Sequence, residues 1–285
     1  MFFEEEKKED LFGINPEKNG VSPLFGAKLD NTSLFFPLQQ LNTEVYTSLP
    51  KTECINCPGC SKVEAACCKI GGPKLRHIEF LNVYAYLEGN KDLGFKGWSP
   101  FERLQLLIDC VRYQIQDDTE DPIKPCLFLT ENNLCSIYPV RWFQCRIYGQ
   151  SPEGTWDDLV EDAVEERSKV DDTEWLPMKN QCQNIEIKEN KKLNEDVVNA
   201  LRHNIKKLES QIGIYDAIIK SGETYLHFHE HLIIFLLGPD IMSQLSDLRG
   251  FSQKDKDHFM KSYIEAWENK FELSLLRDGE KFKIF

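Results

Sequence analysis

Ten cysteines lie between positions 54 and 182 of this 285-residue chain, and nine of them fall in segments without sustained helical or strand periodicity. Five crowd into "CINCPGCSKVEAACC", residues 54–68; three more are separated by eight and nine residues in "CLFLTENNLCSIYPVRWFQC", residues 126–145; Cys182 follows alone. Cys54, Cys57 and Cys60 form C-x2-C-x2-C, a spacing that lets a tight loop aim successive sulfurs at one centre, as zinc knuckles and iron–sulfur loops both do. Glu64 stands where a bacterial ferredoxin run needs its fourth cysteine, so the motif is not that one. Cys67 and Cys68 are adjacent, and their diverging side chains would address different metals or different corners of one cluster. Cys126, Cys135 and Cys145 are too far apart in sequence to make a site alone, and make sense as ligands that converge with the first group on folding.

The metal such a set selects follows from its donors. His77 is the only histidine near the clusters, so the ligands are nearly all thiolate, which favours zinc, iron–sulfur or Cu(I). Lys62, Lys69, Lys74 and Arg76 gather around the first group, and Arg141 and Arg146 flank Cys145. Positive charge there would lower thiol pKa values and stabilise an anionic centre; ordinary solvated surface is the other reading. Gly71 and Gly72 would let backbone N–H groups approach sulfur. Cys110 reads as a small buried hydrophobe on a helix. In "HFHEH", residues 227–231, His227 and His231 would share a helical face as a metal-binding pair does, with Glu230 beside them; a hydrogen-bonded polar stretch is the alternative.

The elements that must position these groups are mostly helical. Residues 1–50 show no sustained periodicity and read as an irregular arm, wrapped on the body through Phe35, Phe36 and Leu38 or left disordered. A short helix is expected over His77–Leu87. Ser99 then opens a longer one, with Pro100 at the first helical position and Glu102 completing a capping box ahead of Leu104, Leu107, Ile108, Val111 and Ile115. Residues 155–167 read as a solvated acidic helix. From Asn194, the residues Val198, Leu201, Ile205, Leu208, Ile212, Tyr215 and Ile219 mark a long amphipathic helix; Ser252 opens another, with Phe259, Tyr263, Trp267 and Phe271 stepping by four. The expected organisation is an arm over 1–50, a cysteine-rich metal-binding domain over 51–190 and an α-helical subdomain over 191–285.

Composition sets the outer bounds. At 41% hydrophobic and 28% charged residues the chain can bury an adequate core, and needs no disulfides to fold. A net charge of −13 disfavours nucleic acid and anionic membrane surfaces as partners. The charged start "MFFEEEKKEDLF" lacks a leader's apolar stretch, and the cytoplasm, where thiols stay reduced, is the expected location.

"AACCKI" followed by "PCLFLTENNLCSIYPVRWFQCRIYG" resembles the YkgJ-like cysteine-cluster family, the CxxCxxCC proteins described as zinc- or iron-chelating. The matching residues are Cys67 and Cys68, then Cys126 with Phe128 and Leu129, then Cys135 with Ile137 and Tyr138, then Arg141 with Cys145 and Arg146, within residues 54–149. Six residues part Cys60 from Cys67 where the family's motif is compact, and Trp142 replaces the usual proline after the arginine. The resemblance implies metal chelation, and relatives occur in flagellin lysine-N-methylases, where an iron–sulfur cluster accompanies methyl transfer. The expectation is thus a mainly α protein with an irregular cysteine-rich module around one or two iron–sulfur clusters of the [4Fe–4S] kind, serving electron transfer or a redox or methyl-transfer protein partner docked on its C-terminal helices. Two alternatives stand beside it: a structural Zn2+ module whose helices bind a partner, and a cluster-dependent enzyme.

Overall fold

The computed structural model describes residues 35–48, 66–69, 71–89, 91, 94–116, 124–147, 195–211, 225–237 and 240–271. Cys54, Cys57, Cys60, Cys182, the acidic stretch 155–167 and the positions Ile212, Tyr215 and Ile219 lie outside these residues, as do the side chains of Cys67, Trp267 and Phe271. In chain order the elements are α1 (Phe35–Ser48), α2 (Ala66–Lys69), β1 (Leu75–Arg76), α3 (His77–Glu88), α4 (Pro100–Ile115), a 3-10 turn (Tyr138–Val140), α5 (Phe143–Ile147), α6 (Glu195–Glu209), β2 (Tyr225–Leu226), α7 (Phe228–Leu237), α8 (Asp240–Asp247), a second 3-10 turn (Leu248–Gly250) and α9 (Gln253–Phe271). The described fold is mainly helical.

The helix at Ser99 forms as its sequence dictates. Ser99 Oγ accepts from the Glu102 N–H at 3.2 Å, the Glu102 carboxylate accepts from the Ser99 N–H at 2.7 Å, and Pro100 occupies the first turn. Leu104, Leu107, Ile108, Val111 and Ile115 are all buried on one stripe, and Cys110 joins them. Helix α3 has no such stripe: ten of its residues from His77 to Leu87 are buried, so it runs through the interior. Gly89 ends it at φ 74°, and Gly97, at φ 77°, crosses so closely that a Cβ on it would lie 2.6 Å from the Gly89 Cα. Only glycine at both positions permits this turn from α3 back toward α4.

A two-residue antiparallel pair joins distant parts of the chain, with Leu75 opposite Leu226 and Arg76 opposite Tyr225. It continues into α3 on one side and α7 on the other. Helix α7 packs on α4, and one apolar cluster holds Leu75, Phe80, Leu107, Val111 and Phe128 together with Phe228, Ile233, Leu236, Phe259 and Tyr263. The boundary expected near residue 190 therefore does not separate two cores. Helices from both sides of it bury each other's apolar faces.

A smaller cluster revises the reading of the N-terminal arm. Residues 35–48 are helical, and Leu38 and Leu41 bury against Ile78, Phe143, Ile147, Val198, Leu201 and Ile205. Phe36, expected to hold the arm down, is 56% exposed. The apolar signal of α1 is too short to announce a helix. Its stability comes from the amphipathic face of α6, in line with the rule that most helical stability is tertiary. Glu209, at the end of α6, locks this layer to the interior by accepting from the His77 N–H at 2.8 Å and the Arg76 guanidinium at 3.0 Å. No helix among the described residues is long and apolar enough to cross a membrane.

Candidate metal centre

The second cysteine segment is a tight loop pinned to the core at two points. Phe128 and Ile137 are 2% and 1% exposed, a bridge pairs Leu129 with Cys135, and the Ser136 N–H donates to the Phe128 carbonyl at 2.9 Å. Asn133 closes the turn at φ 57°, a left-handed position that asparagine tolerates. These anchors fix Cys126 and Cys135 at the two ends of the loop. Cys145 rides on the single turn α5, held by buried Phe143 and Ile147. The expectation that nine cysteines avoid regular elements is corrected here, since Cys67 and Cys68 lie on α2 and Cys145 on α5.

The first segment reaches this loop through its backbone. The Cys126 N–H donates to the Cys68 carbonyl at 2.7 Å, placing the paired-cysteine turn directly against the start of the second segment. Cys68, Cys126, Cys135 and Cys145 are all half-buried thiols, and none is in a disulfide. Among the described residues, no group of three or more His, Cys, Asp or Glu side chains is arranged to hold a metal ion.

Electrostatics around Cys135 are divided. Burial pushes its thiol up from the usual range, while a hydrogen bond from the Ile137 backbone and the charges of Arg141 and Arg146 pull it down. Both arginines thus act on Cys135. Arg146 is 2% exposed and donates to the Pro139 carbonyl at 3.1 Å, and the Arg141 guanidinium lies 4.1 Å from the centre of the Tyr138 ring. Lys69 ends α2, half-buried, and does not contribute to the shift at Cys135. Of the two glycines expected beside sulfur, Gly72 is there: a Cβ on it would stand 3.5 Å from the Cys126 Sγ. Gly71, at φ 108°, abuts the Lys124 carbonyl instead.

The "HFHEH" stretch resolves into two different environments. Glu230 caps α7 by accepting from the His227 N–H at 2.7 Å, which accounts for its place in the motif. His231 is 1% exposed, bonds the Leu75 carbonyl through Nε2 at 3.0 Å and stacks on Phe80 at 5.2 Å. It is a core histidine. His227 instead bonds the Gly72 carbonyl through Nδ1 at 2.9 Å and lines a cleft of about 20 Å3, the volume of one water-sized group. Gly72, Tyr113, Cys126, Trp142 and His229 also line it. Both imidazoles are hydrogen-bonded to backbone carbonyls, as the alternative reading of this stretch has it, and His227 lines the cleft with Cys126 because β1 and β2 carry residues 72–76 alongside residues 225–227.

Sequence reasoning missed three of these lining residues. Tyr113 belongs to α4 by spacing and carries no chemical signal of its own. His229 lies off the helical face that His227 and His231 would share, so it drew no attention. Trp142 was visible as the family's missing proline, and it now lies parallel to Phe228, with ring centres 6.4 Å apart. No protein-family model, no curated protein and no solved structure matches this chain, so the likeness to the cysteine-cluster family rests on the motif residues themselves.

Proposed function

We propose that this chain is a thiolate metal-binding protein, with Cys54, Cys57, Cys60, Cys67, Cys68, Cys126, Cys135, Cys145 and Cys182 as its ligand pool, and that it holds one or two iron–sulfur clusters. The observation that carries this reading is the 2.7 Å bond from the Cys126 N–H to the Cys68 carbonyl. It brings the two cysteine segments, far apart in sequence, to one place, as a shared centre requires. The residues fit the group in charge as well as type. The guanidiniums of Arg141 and Arg146 act on Cys135, and a backbone N–H reaches that thiol, the two contacts by which proteins tune cluster potentials. When bound, such a cluster supplies one-electron redox chemistry; the chain's own residues hold it, screen it and set its potential. Its role is then electron transfer to a redox or methyl-transfer partner.

A structural zinc centre is the second reading, favoured by Cys126, Cys135 and Cys145 all packing against the main core, where a metal would cross-link the fold. Anaerobic purification followed by visible spectroscopy separates the two. The cluster reading expects broad absorption near ~400 nm that bleaches with dithionite. A colourless protein that stays colourless after reconstitution with iron and sulfide, and carries zinc, would leave the structural reading.

A further inference from the structure

We propose that Cys126 is a peroxide-reactive thiol: hydrogen peroxide enters the cleft that Cys126 shares with Trp142 and His227, and oxidises the sulfur to a sulfenic acid. The inference goes beyond the metal reading and does not depend on it, since it concerns the thiol and its cleft rather than a bound ion.

An orphaned donor is the first argument. Trp142 is 2% exposed and lines the cleft, yet its Nε1–H is buried without an acceptor among the described residues. Its Cζ2, two bonds from that nitrogen, lies 3.8 Å from the Cβ position of Gly72, and the Cys126 Sγ lies 3.5 Å from the same point. The indole edge and the sulfur therefore stand on one side of Gly72, in the space its missing side chain leaves open. A buried N–H without a partner calls for an acceptor there. A peroxide oxygen is such an acceptor, and the negative charge it gains as the O–O bond breaks strengthens the hydrogen bond.

The second argument is an acceptor. A backbone carbonyl can only accept, so the 2.9 Å contact with the Gly72 oxygen puts the proton of neutral His227 on Nδ1 and leaves a lone pair on Nε2. Peroxide carries two O–H donors, and this imidazole lines the same cleft. Size and access make the third argument. The cleft volume of about 20 Å3 exceeds the roughly 10–15 Å3 that one water requires, so it suits a molecule of two oxygens and is too small for glutathione disulfide. Cys126 is half-buried and is the one described cysteine that lines it, whereas Cys110 is sealed in the core. Thiol oxidation follows such access.

In the step itself, Sγ attacks the nearer peroxide oxygen. The S–O bond forms as the O–O bond breaks, sulfur gives two electrons to the peroxide, and the departing oxygen takes up the thiol proton and leaves as water. One peroxide thus yields one sulfenic acid and one water.

The test treats the full chain, as purified and after EDTA, with hydrogen peroxide in the presence of dimedone, which traps sulfenic acids, and locates the adducts by tandem mass spectrometry. Among Cys68, Cys110, Cys126, Cys135 and Cys145, the adduct should appear first at Cys126. It should form there at least about tenfold faster than at Cys110, which reacts only when the core opens. Trp142→Phe keeps a ring and removes the donor, and should slow labelling of Cys126 about tenfold. Cys110 should stay unlabelled in that variant, which shows that it folds; if it does not fold, the order of labelling in the parent chain decides alone. Another of these five cysteines labelled first in both samples, or an unchanged Cys126 rate in folded Trp142→Phe, would overturn the proposal. Metal per chain, measured on the same samples, judges the metal reading separately.

Discussion

The Cys110 thiol sits on α4 with no solvent exposure, and burial first, then the neighbouring Asp109 carboxylate, raises its pKa well above the usual thiol range. A thiol kept neutral there is a small apolar side chain, as its helical spacing already implied. Cys126 has the same chemistry in a different setting, half-buried at a cleft with an imidazole and an indole. The pair makes a direct comparison. Cys110→Ala should cost about 1 kcal/mol of stability and leave metal per chain unchanged, whereas Cys126→Ser should lower metal per chain. Equal metal content in the two variants would remove Cys126 from the ligand set. At this scale the sequence displays the cysteines only as candidates, since thiols crowded into one region suggest metal chemistry without showing which of them meet. That Cys126 and His227 line one cleft is not displayed there, since it depends on β1 meeting β2 across a long stretch of chain.

Capping made the elements legible where it was local. Ser99, Pro100 and Glu102 mark the start of α4 within four residues, and the structure forms the reciprocal bonds they allow. The cap at His227 and Glu230 has the same spacing and the same backbone N–H to carboxylate bond, but a histidine stands where α4 has its serine, so the motif left a metal pair open as a reading. Helix α1 was hidden for another reason: two buried leucines leave no periodic signature, and the partner surface on α6 does the stabilising. The contact of Gly97 on Gly89 was equally invisible, since a glycine's neighbours are not written beside it. Gly94 and Gly97 test it. Both have positive φ, at 72° and 77°, but a Cβ on Gly94 meets nothing within 4 Å. Gly94→Ala should cost roughly 1–2 kcal/mol from backbone conformation alone. Gly97→Ala should cost roughly 1–3 kcal/mol more, because the added methyl overlaps the Gly89 backbone. Equal urea midpoints for the two variants would show that the turn gives way.

Across the whole molecule, one apolar core joins the described cysteine-bearing segments to the C-terminal helices, and it carries three buried histidines. Burial, with the His231 charge second, lowers His77 to about 3; burial, followed by His227, Lys124, Arg249 and His231, lowers His229 to about 3; and burial lowers His231 to about 4 despite its bond to the Leu75 carbonyl. Each therefore binds a proton more readily when the chain unfolds. Their contribution is fully present above about pH 6.5 and is lost progressively as pH falls from there, toward about 4 for His231 and about 3 for His77 and His229. Glu79 acts in the opposite sense: burial raises its pKa despite hydrogen bonds from the Phe143 and Arg76 backbone, so the folded chain gains its proton first. Asp109, also raised by burial, adds to Glu79. With three histidines against two carboxyls, urea unfolding should give falling stability between pH 7 and pH 5, and a flat or rising profile would contradict these burials. The shared core follows from apolar spacing that the sequence displays, but its extent across residue 190 does not, because apolar spacing does not say which faces meet. The central claim remains that the cysteines bind metal, and its most direct test is the amount of iron, zinc and acid-labile sulfide per chain in the anaerobically purified protein. The account predicts at least one metal atom per chain, with sulfide in proportion to iron if clusters are present. A chain that is folded and monodisperse, yet carries neither metal as purified nor after reconstitution, would contradict it.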